Sequence, residues 1–92
     1  MVNITDDTSR SEYVATLDGD EAGVIVYHRS PGVIDLQHTI VRPEAEGHGV
    51  GSALIHFALD AARASGERVI PTCPFVQAFL KKHEEYLDVV DR

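Results

Sequence analysis

Three alternate glycines, Gly47, Gly49 and Gly51, stand directly before an alanine-rich segment with the apolar periodicity of a helix. Because glycine has no Cβ atom, the backbone at these positions can turn tightly and approach a ligand closely. The first N–H groups of a helix have no acceptor inside the helix, and they lie at the positive end of its dipole. Residues 41–64 therefore predict an anion site at a helix start, and we interpret it as a site for a pyrophosphate group.

The spacing of the glycines separates this loop from two common phosphate-binding motifs. A P-loop requires a Lys-Ser or Lys-Thr pair after its last glycine, and none follows here. The dinucleotide fingerprint has the pattern G-x-G-x-x-G and an acidic residue after a later strand, whereas this loop is G-x-G-x-G and the next predicted strand ends in Thr72-Cys73. A tight strand-to-helix turn, with glycines for close packing alone, is the alternative interpretation.

The single cysteine, Cys73, lies where a predicted strand ends and a helix opens with Pro74. The helix dipole at this position favours a reactive thiolate, but a free cysteine is also commonly an inert buried residue. In a strand-helix-strand unit the ends of the two parallel strands lie side by side, so Cys73 should face the glycine loop across one crevice. Position alone leaves both roles open.

Histidines and polar residues on the strand before the glycine loop are weaker candidates. His38 falls on the apolar face of this strand, where a satisfied, half-buried histidine is commoner than a catalytic one. Asp35 and Gln37, on the opposite face, could contact a substrate. His48 could contact a phosphate through its backbone N–H. The five histidines and the cysteine are not spaced as metal ligands, so no metal is predicted.

Composition bounds the class of protein. The chain has 92 residues, of which 43% are hydrophobic, and we expect one domain over residues 11–92 after a flexible terminus at 1–10. It has no apolar run long enough to span a membrane and no signal-peptide pattern. One cysteine excludes an internal disulfide and fits a cytoplasmic location. The net charge of −7 argues against nucleic acid as a partner; it suits a cationic substrate, or simply solubility.

The order of predicted elements is that of an α+β (α/β-like) fold. Strands at 12–17, 22–29 and 33–41 form an antiparallel meander. A helix at 50–65 then leads to a short strand at 68–72, which a right-handed crossover places parallel to 33–41. Pro71 predicts an edge, a bulge or a gap in that strand. A second helix covers 74–83, with the pair Lys81-Lys82 on its solvated face or near a nucleotide phosphate, and 86–90 is a last strand or a docked tail.

The residues carry a resemblance to a known family. The strand end, the glycine loop and the following helix look like motif A of the GCN5-related N-acetyltransferase superfamily. The run VIPTCPFVQAFLKKHEEY at 69–86 and the pair His38-Thr39 are similar to the small single-domain members called the YjdJ type. The resemblance covers nearly the whole chain from about residue 11. It implies a minimal mixed sheet: three antiparallel strands, a parallel fourth and a second helix after it.

The resemblance also implies a function, an acetyl-CoA-dependent N-acetyltransferase acting on an unidentified amine of a protein or small molecule. Cys73 would be catalytic and could carry the acetyl group as a thioester, with His38 as a second catalytic candidate. Acetyl-CoA, or coenzyme A, would be the cosubstrate, with no metal, nucleic acid or membrane involved. The residues that would bind it are Ile40, Val41, Gly47, His48, Gly49, Val50, Gly51, Ser52, Pro74, Phe75 and Lys82.

One position departs from the superfamily pattern. Arg or Gln is usual three residues before the second glycine of the motif, and this chain has Glu46. A carboxylate beside a pyrophosphate is unfavourable, so Glu46 is expected either to point to solvent or to weaken coenzyme A binding. The chain also lacks counterparts of the elements that build an acceptor groove in larger members. A non-catalytic module that binds coenzyme A or an acyl-CoA, as a sensor or partner subunit, is therefore the alternative function, and a redox-responsive Cys73 is a third.

Overall fold

Five strands lie in chain order across one sheet in the computed structural model, which describes residues 2–91. Neighbouring strands are antiparallel from β1 to β4, while β4 and β5 are parallel. The strands are β1 (Val2–Asp7), β2 (Glu12–Leu17), β3 (Asp20–Ser30), β4 (Val33–Val41) and β5 (Arg68–Pro71). The helices are α1 (Val50–Ser65) and α2 (Pro74–Lys82), with short 3₁₀ segments at Pro43–Ala45 and Glu84–Val89.

The predicted α+β fold with a mixed sheet is confirmed. The meander, the bounds of α1 and the parallel pairing of β4 with β5 agree with the sequence pattern. Pro71 ends β5, which is an outer strand of the sheet, as a proline at this position predicts. The tail is a 3₁₀ segment, Glu84–Val89, whose Tyr86 and Val89 are buried, and a parallel bridge between Val69 and Val90 follows it. No helix within residues 2–91 is long and apolar enough to cross a membrane.

The expectation of a frayed terminus over residues 1–10 is wrong, because β1 occupies most of that stretch. Its six residues pair with β2 along their whole length. Val2 and Ile4 alternate with polar neighbours, and both pack against the hydrophobic core. The many polar and acidic residues of this segment conceal a two-residue apolar alternation, which is the periodicity of a strand.

Both helices pack on one face of the sheet. Residues of α1 at helical spacing are buried, and α2 buries a shorter stripe that joins them. The buried helix residues and the side chains of the strands that face them form one cluster; from the helices it includes Val50, Leu54, Ile55, Ala58, Leu59, Ala62, Val76, Phe79 and Leu80. This face is called the inner face, and the opposite face the outer face.

A β-bulge in β4 changes which residues are buried. Val26 of β3 lies opposite His38, and the next residue, Tyr27, lies opposite Leu36, so Gln37 is skipped by the ladder. One extra residue reverses the alternation beyond the bulge. His38 is therefore exposed, and Ile40 is 57% exposed. The prediction that His38 is half-buried on the same face as Leu36 is wrong for this reason.

Two tyrosines join distant segments through carboxylates. The Tyr27 hydroxyl donates to Asp6 Oδ1 at 2.5 Å, which ties β3 to β1. The Tyr86 hydroxyl donates to Asp60 Oδ1 at 2.6 Å, which ties the tail to α1. Burial and the hydrogen bond to Asp6 raise the pKa of Tyr27 to about 12. The hydrogen bond to Asp60, followed by burial, raises the pKa of Tyr86 to about 12.

These raised pKa values predict a loss of stability in alkali. A tyrosine in the unfolded chain has a pKa of about 10. Because folding favours the protonated hydroxyl, the stability from Tyr27 and Tyr86 is fully present below that pH and is lost as the pH rises towards 12. Thermal melts between pH 8 and 12 should show a falling melting temperature. The decline should be shallower in Tyr27→Phe and in Tyr86→Phe; equal slopes in all three proteins would contradict the assignment.

Candidate active site

The pairing of β4 with β5 stops halfway along β4. The two strands pair up to Leu36 and Pro71. Just beyond, the Cys73 N–H donates to the Leu36 carbonyl at 2.9 Å, and α2 begins at Pro74, since proline suits the first turn of a helix. β4 continues to Val41, and no strand within residues 2–91 pairs with it on that side. Its second half therefore has a free edge.

Unpaired backbone groups lie along this free edge. The Arg42 N–H donates to the Ala22 carbonyl at 2.8 Å, so these two residues form a hydrogen-bonded pair between β4 and β3. In an antiparallel ladder such pairs alternate with pairs whose N–H and C=O groups point away from the partner strand. Thr39 and Val41 are residues of the second kind. Their backbone groups point away from β3 and can pair with an extended ligand, as an added strand would.

A cleft of about 720 Å³ runs between the free edge of β4, the start of α1 and the inner side of α2. Three consecutive residues of β4 line it, which places the cleft along the edge of the strand rather than on one face. The lining residues are Thr39, Ile40, Val41, Ala45, Glu46, Gly47, Gly49, Val50, Gly51, Ser52, Ile55, Phe75, Ala78, Phe79, Lys82 and His83.

The glycine loop brings the start of α1 to this cleft. Gly47 and Gly49 have φ angles of 84° and 73°, a left-handed conformation that strains other residues. Gly49 is the N-cap and its carbonyl accepts from the Ala53 N–H at 3.0 Å, the first hydrogen bond of the helix. The N–H groups of Val50, Gly51 and Ser52 therefore have no acceptor within α1. They lie at the cleft with the positive end of the dipole, an arrangement that can hold an anion.

Few charged side chains reach the cleft. Among its lining residues within 2–91, those with ionisable side chains are Glu46, Lys82 and His83. Glu46 is exposed at the loop, and Lys82 is the last residue of α2. Of the pair Lys81-Lys82, Lys82 lines the cleft and Lys81 does not. An anion bound here would therefore be held mostly by backbone N–H groups.

An aromatic wall closes the cleft on the side of α2. The rings of Phe79 and His83 are stacked with centroids 4.0 Å apart, and the ring of His56 meets Phe79 edge-on at 4.9 Å. The His56 Nδ1 lies 3.1 Å from the Tyr86 hydroxyl. Since that hydroxyl donates its proton to Asp60, the Nδ1 of His56 must be the donor. This wall was not predicted from the sequence, although Phe79 and His83 have the four-residue spacing of one helix face.

Cys73 lies next to the cleft but does not line it. Its side chain is buried, with 1% of the residue exposed, and its Sγ is 3.2 Å from the Oγ1 of Thr39. Thr39 lines the cleft whereas Cys73 does not. The predicted proximity of Cys73 to the crevice therefore holds, but the thiol itself is shielded by one residue.

Most of the residues that the sequence predicted to bind the cofactor line the cleft. The exceptions are His48 and Pro74. The catalytic candidate His38 does not line it either, and lies exposed next to the bulge. The structure adds six lining residues that the sequence did not single out as binding residues: Thr39, Ala45, Ile55, Ala78, Phe79 and His83. Among residues 2–91, no group of three histidine, cysteine, aspartate or glutamate side chains is arranged to hold a metal ion.

Known proteins share this fold and sequence pattern. Protein NATD1 of Bos taurus is 29% identical over 91 residues, which cover 95% of this chain and 80% of that protein. The solution structure of a GCN5-like protein from Staphylococcus aureus has a TM-score of 0.73 at 25% identity, covering 97% of this chain and 87% of that one. The structure of Ard1 from Thermoplasma volcanium has a TM-score of 0.58 at 25% identity, covering 87% of this chain and 56% of that one.

A match to a family model establishes the family membership that the glycine loop and the run at 69–86 indicate. The model, described as GCN5-related N-acetyl-transferase, matches residues 12–89. That range includes four of the five strands, the free edge of β4, the glycine loop and α2. The chain is an enzyme that belongs to the family of GCN5-related N-acetyltransferases.

Proposed function

We propose that this protein transfers the acetyl group of acetyl-CoA to a primary amine. The proposal rests on one observation: the free edge of β4 and the unpaired N–H groups at the start of α1 line the same cleft. Acetyl-CoA has an extended arm with two amides and a pyrophosphate, so its chemistry matches both features. It supplies an activated acyl carbon when bound.

Different residues of the cleft would bind different parts of the cosubstrate. The N–H groups of Val50, Gly51 and Ser52 would bind the pyrophosphate, and Lys82, which also lines the cleft, would add a cation. The backbone groups of Thr39 and Val41 would pair with the amides of the arm. Because these contacts are made by the main chain, they tolerate variation in the surrounding side chains. Ile40 and Phe75, 57% and 66% exposed, supply apolar surface for the arm to cover.

The acetyl end would lie where β4 and β5 separate. The amine nitrogen attacks the carbonyl carbon of the thioester, and the C–S bond of the thioester breaks. The amine proton passes to a base. The coenzyme A thiolate leaves and takes a proton from solvent. His38 is the candidate base, because its imidazole is exposed on β4 beside the bulge. An unpaired N–H on the free edge of β4 would donate to the oxyanion.

Calorimetry and thermal melts with acetyl-CoA test the proposal. Binding at a concentration of 100 times the Kd should stabilise the domain by about 2.7 kcal/mol. Acetylation of an amine panel, followed by mass spectrometry, should then show transfer that requires the protein. If neither coenzyme A nor acetyl-CoA changes the melting temperature, the proposal fails. Binding without transfer to any amine would favour the alternative of a coenzyme A-binding module, which the acidic Glu46 motivates.

Cys73 offers a second route, in which it carries the acetyl group as a thioester. Burial of the thiol behind Thr39 favours a packing role instead. For packing, Cys73→Ala should lower the free energy of unfolding by about 1 kcal/mol, from lost contacts, while keeping transfer activity. Intact-mass spectrometry after incubation with acetyl-CoA distinguishes the routes. An acetyl adduct on the wild type that is missing in Cys73→Ala, together with lost turnover, would establish the thioester.

Glu46 should weaken the binding of coenzyme A through its charge. Glu46 lines the same cleft as the N–H groups that would bind the pyrophosphate, and like charges repel. Because Glu46 is exposed, the effect is modest: we expect Glu46→Gln to tighten binding about threefold and Glu46→Arg up to about tenfold. Calorimetry at low and high salt should show the gain shrinking as salt screens it. Glu44→Gln is the matched control, since Glu44 is exposed in the same loop but does not line the cleft; equal gains in both variants would contradict a local effect.

A further inference from the structure

The outer face of the sheet carries no helix within residues 2–91. The ladder aligns Thr5, Val14, Val24 and Ile40 in one row across four strands. Val14 and Val24 are buried but lie outside the cluster that joins both helices to the inner face. Ile40, at the end of the row, is 57% exposed. A ligand can therefore reach this face beside the free edge of β4.

The cleft opens onto this outer face. Ile40 belongs to the outer row and lines the cleft, as do its neighbours Thr39 and Val41 on the other side of the strand. The start of α1, where the pyrophosphate would bind, lies on the inner side. The acceptor amine can therefore approach the edge of β4 from the outer side without displacing the cosubstrate.

Asp35 lies on the outer face where β4 and β5 separate. The Thr72 hydroxyl donates to Asp35 Oδ1 at 2.5 Å, which orients the carboxylate. His28 lies directly opposite Asp35 in the ladder, and His38 lies opposite Val26, two residues from His28 along β3. The ladder places all three residues on the outer face, and both histidines are exposed.

Asp35 differs from the other acids of the outer face in having no cationic partner. Arg10 pairs with Glu12 at 2.6 Å and with Glu21 at 3.1 Å, and it lies 3.9 Å from Asp7. In the described part of the chain, no lysine or arginine forms an ion pair with Asp35. A carboxylate that is oriented by a hydroxyl and lacks a cation is suited to bind an ammonium group.

We propose that Asp35 is a specificity-determining residue, whose carboxylate binds the ammonium group of the acceptor on the outer face, next to His38. This inference rests on the proposed acetyltransferase function and adds a residue that selects the acceptor by its charge. Asp35 binds and orients the ammonium group, which loses one proton to solvent before the neutral nitrogen attacks. His38 then takes the second proton as the amide forms. The acidic first half of the chain, with nine acidic and three basic residues in 1–46, favours a cation over an anion or a neutral amide.

An NMR titration tests the side of entry. The probe is N-α-acetyl-lysine amide, and N-α-acetyl-norleucine amide is its control without the ammonium group, each added to the ¹⁵N-labelled protein with excess coenzyme A. We expect the lysine probe to shift the amides of 35–38 and of Thr72, and the norleucine probe to leave them unchanged. Shifts confined to the inner side, or equal shifts with both probes, would overturn the inference.

A pair of variants tests the role of Asp35. Asp35→Asn can still accept the hydrogen bond from Thr72, so the fold should be kept while the charge is removed. We expect the lysine probe to bind about threefold to tenfold more weakly, because one partly exposed ion pair is lost. Glu84→Gln removes the same charge from an exposed position on the tail and should leave probe affinity unchanged. Equal affinities in the wild type and Asp35→Asn would refute the role.

Coenzyme A binding, followed in the same samples through the amides of 47–52, separates this inference from the proposed function. If coenzyme A shifts those amides and the lysine probe shifts nothing on the outer face, the inference fails and the function stands. If the probe shifts the outer face and coenzyme A shifts nothing, the cation site stands and the acetyltransferase proposal fails.

Discussion

Replacing Gly51 with alanine is expected to weaken coenzyme A binding at least about tenfold without destabilising the domain. Gly51 lies in the first turn of α1 at an ordinary helical φ, and an added Cβ atom would meet only the Cγ2 of Val41, at 3.7 Å. Both residues line the cleft, so the methyl group would stand where a phosphate approaches the N–H groups. Alanine also favours the helix by up to about 1 kcal/mol, so the unliganded protein should melt at the same or a higher temperature.

A control variant should show the opposite behaviour, a loss of stability with unchanged affinity for coenzyme A. Ala64 is exposed near the far end of the same helix. Ala64→Gly should lower the free energy of unfolding by about 1 kcal/mol and leave the Kd for coenzyme A unchanged. Calorimetry and thermal melts on both variants give the comparison. Unchanged coenzyme A affinity in Gly51→Ala would mean that the ligand does not use the start of α1.

Replacing Gly23 with alanine should destabilise the protein by about 2–3 kcal/mol, which lowers the melting temperature by about 10 °C or more. A Cβ atom at Gly23 would lie 2.9 Å from the Ile40 carbonyl oxygen, 3.1 Å from Val50 Cγ1 and 3.4 Å from Leu54 Cδ1. The nearest of these atoms belongs to the backbone and cannot move without moving β4. Since Ile40 and Val50 both line the cleft, coenzyme A affinity should fall as well.

A double-mutant cycle identifies the contact responsible for this loss. Val50→Ala removes one of the two tightest contacts of the new methyl group, although alone it costs stability by opening a cavity. Val50→Ala should lower the free energy of unfolding by less in the Gly23→Ala protein than in the wild type, and the difference measures the clash. Strict additivity of the two changes, or a stable Gly23→Ala protein, would show that the sheet and α1 can separate easily. Gly51→Ala serves as the comparison, since the same chemical change there meets no close atom.

The cleft depends on main-chain groups more than on side-chain chemistry. The N–H groups of α1 and the free edge of β4 carry the proposed recognition of the cosubstrate, and among residues 2–91 the basic side chains of the lining are those of Lys82 and His83. This division explains how a chain with Glu46 in the glycine loop can keep an anion site. In the proposed function, selection of the acceptor would then rest on side chains such as Asp35 and His38, which lie beside the bulge.

Features that depend on neighbouring residues could be read from the sequence. The glycine loop, the bounds of α1 and the antiparallel meander follow from turn chemistry and from apolar periodicity, which act over a few residues. The parallel pairing of β5 followed as well, because a strand-helix-strand unit has few ways to return to its sheet. These elements were enough to predict most of the cleft lining.

Features that depend on contacts between distant segments were decided only by the tertiary structure. The bulge at Gln37 arises from the register of β4 against β3, and it turns His38 from the inner to the outer face. β1 is a strand because β2 offers it an edge, and Cys73 is shielded because Thr39, 34 positions earlier, lies against its sulfur. A sequence read alone shows which residues can take part in such contacts, while the packed sheet decides the register and therefore the direction in which each side chain points.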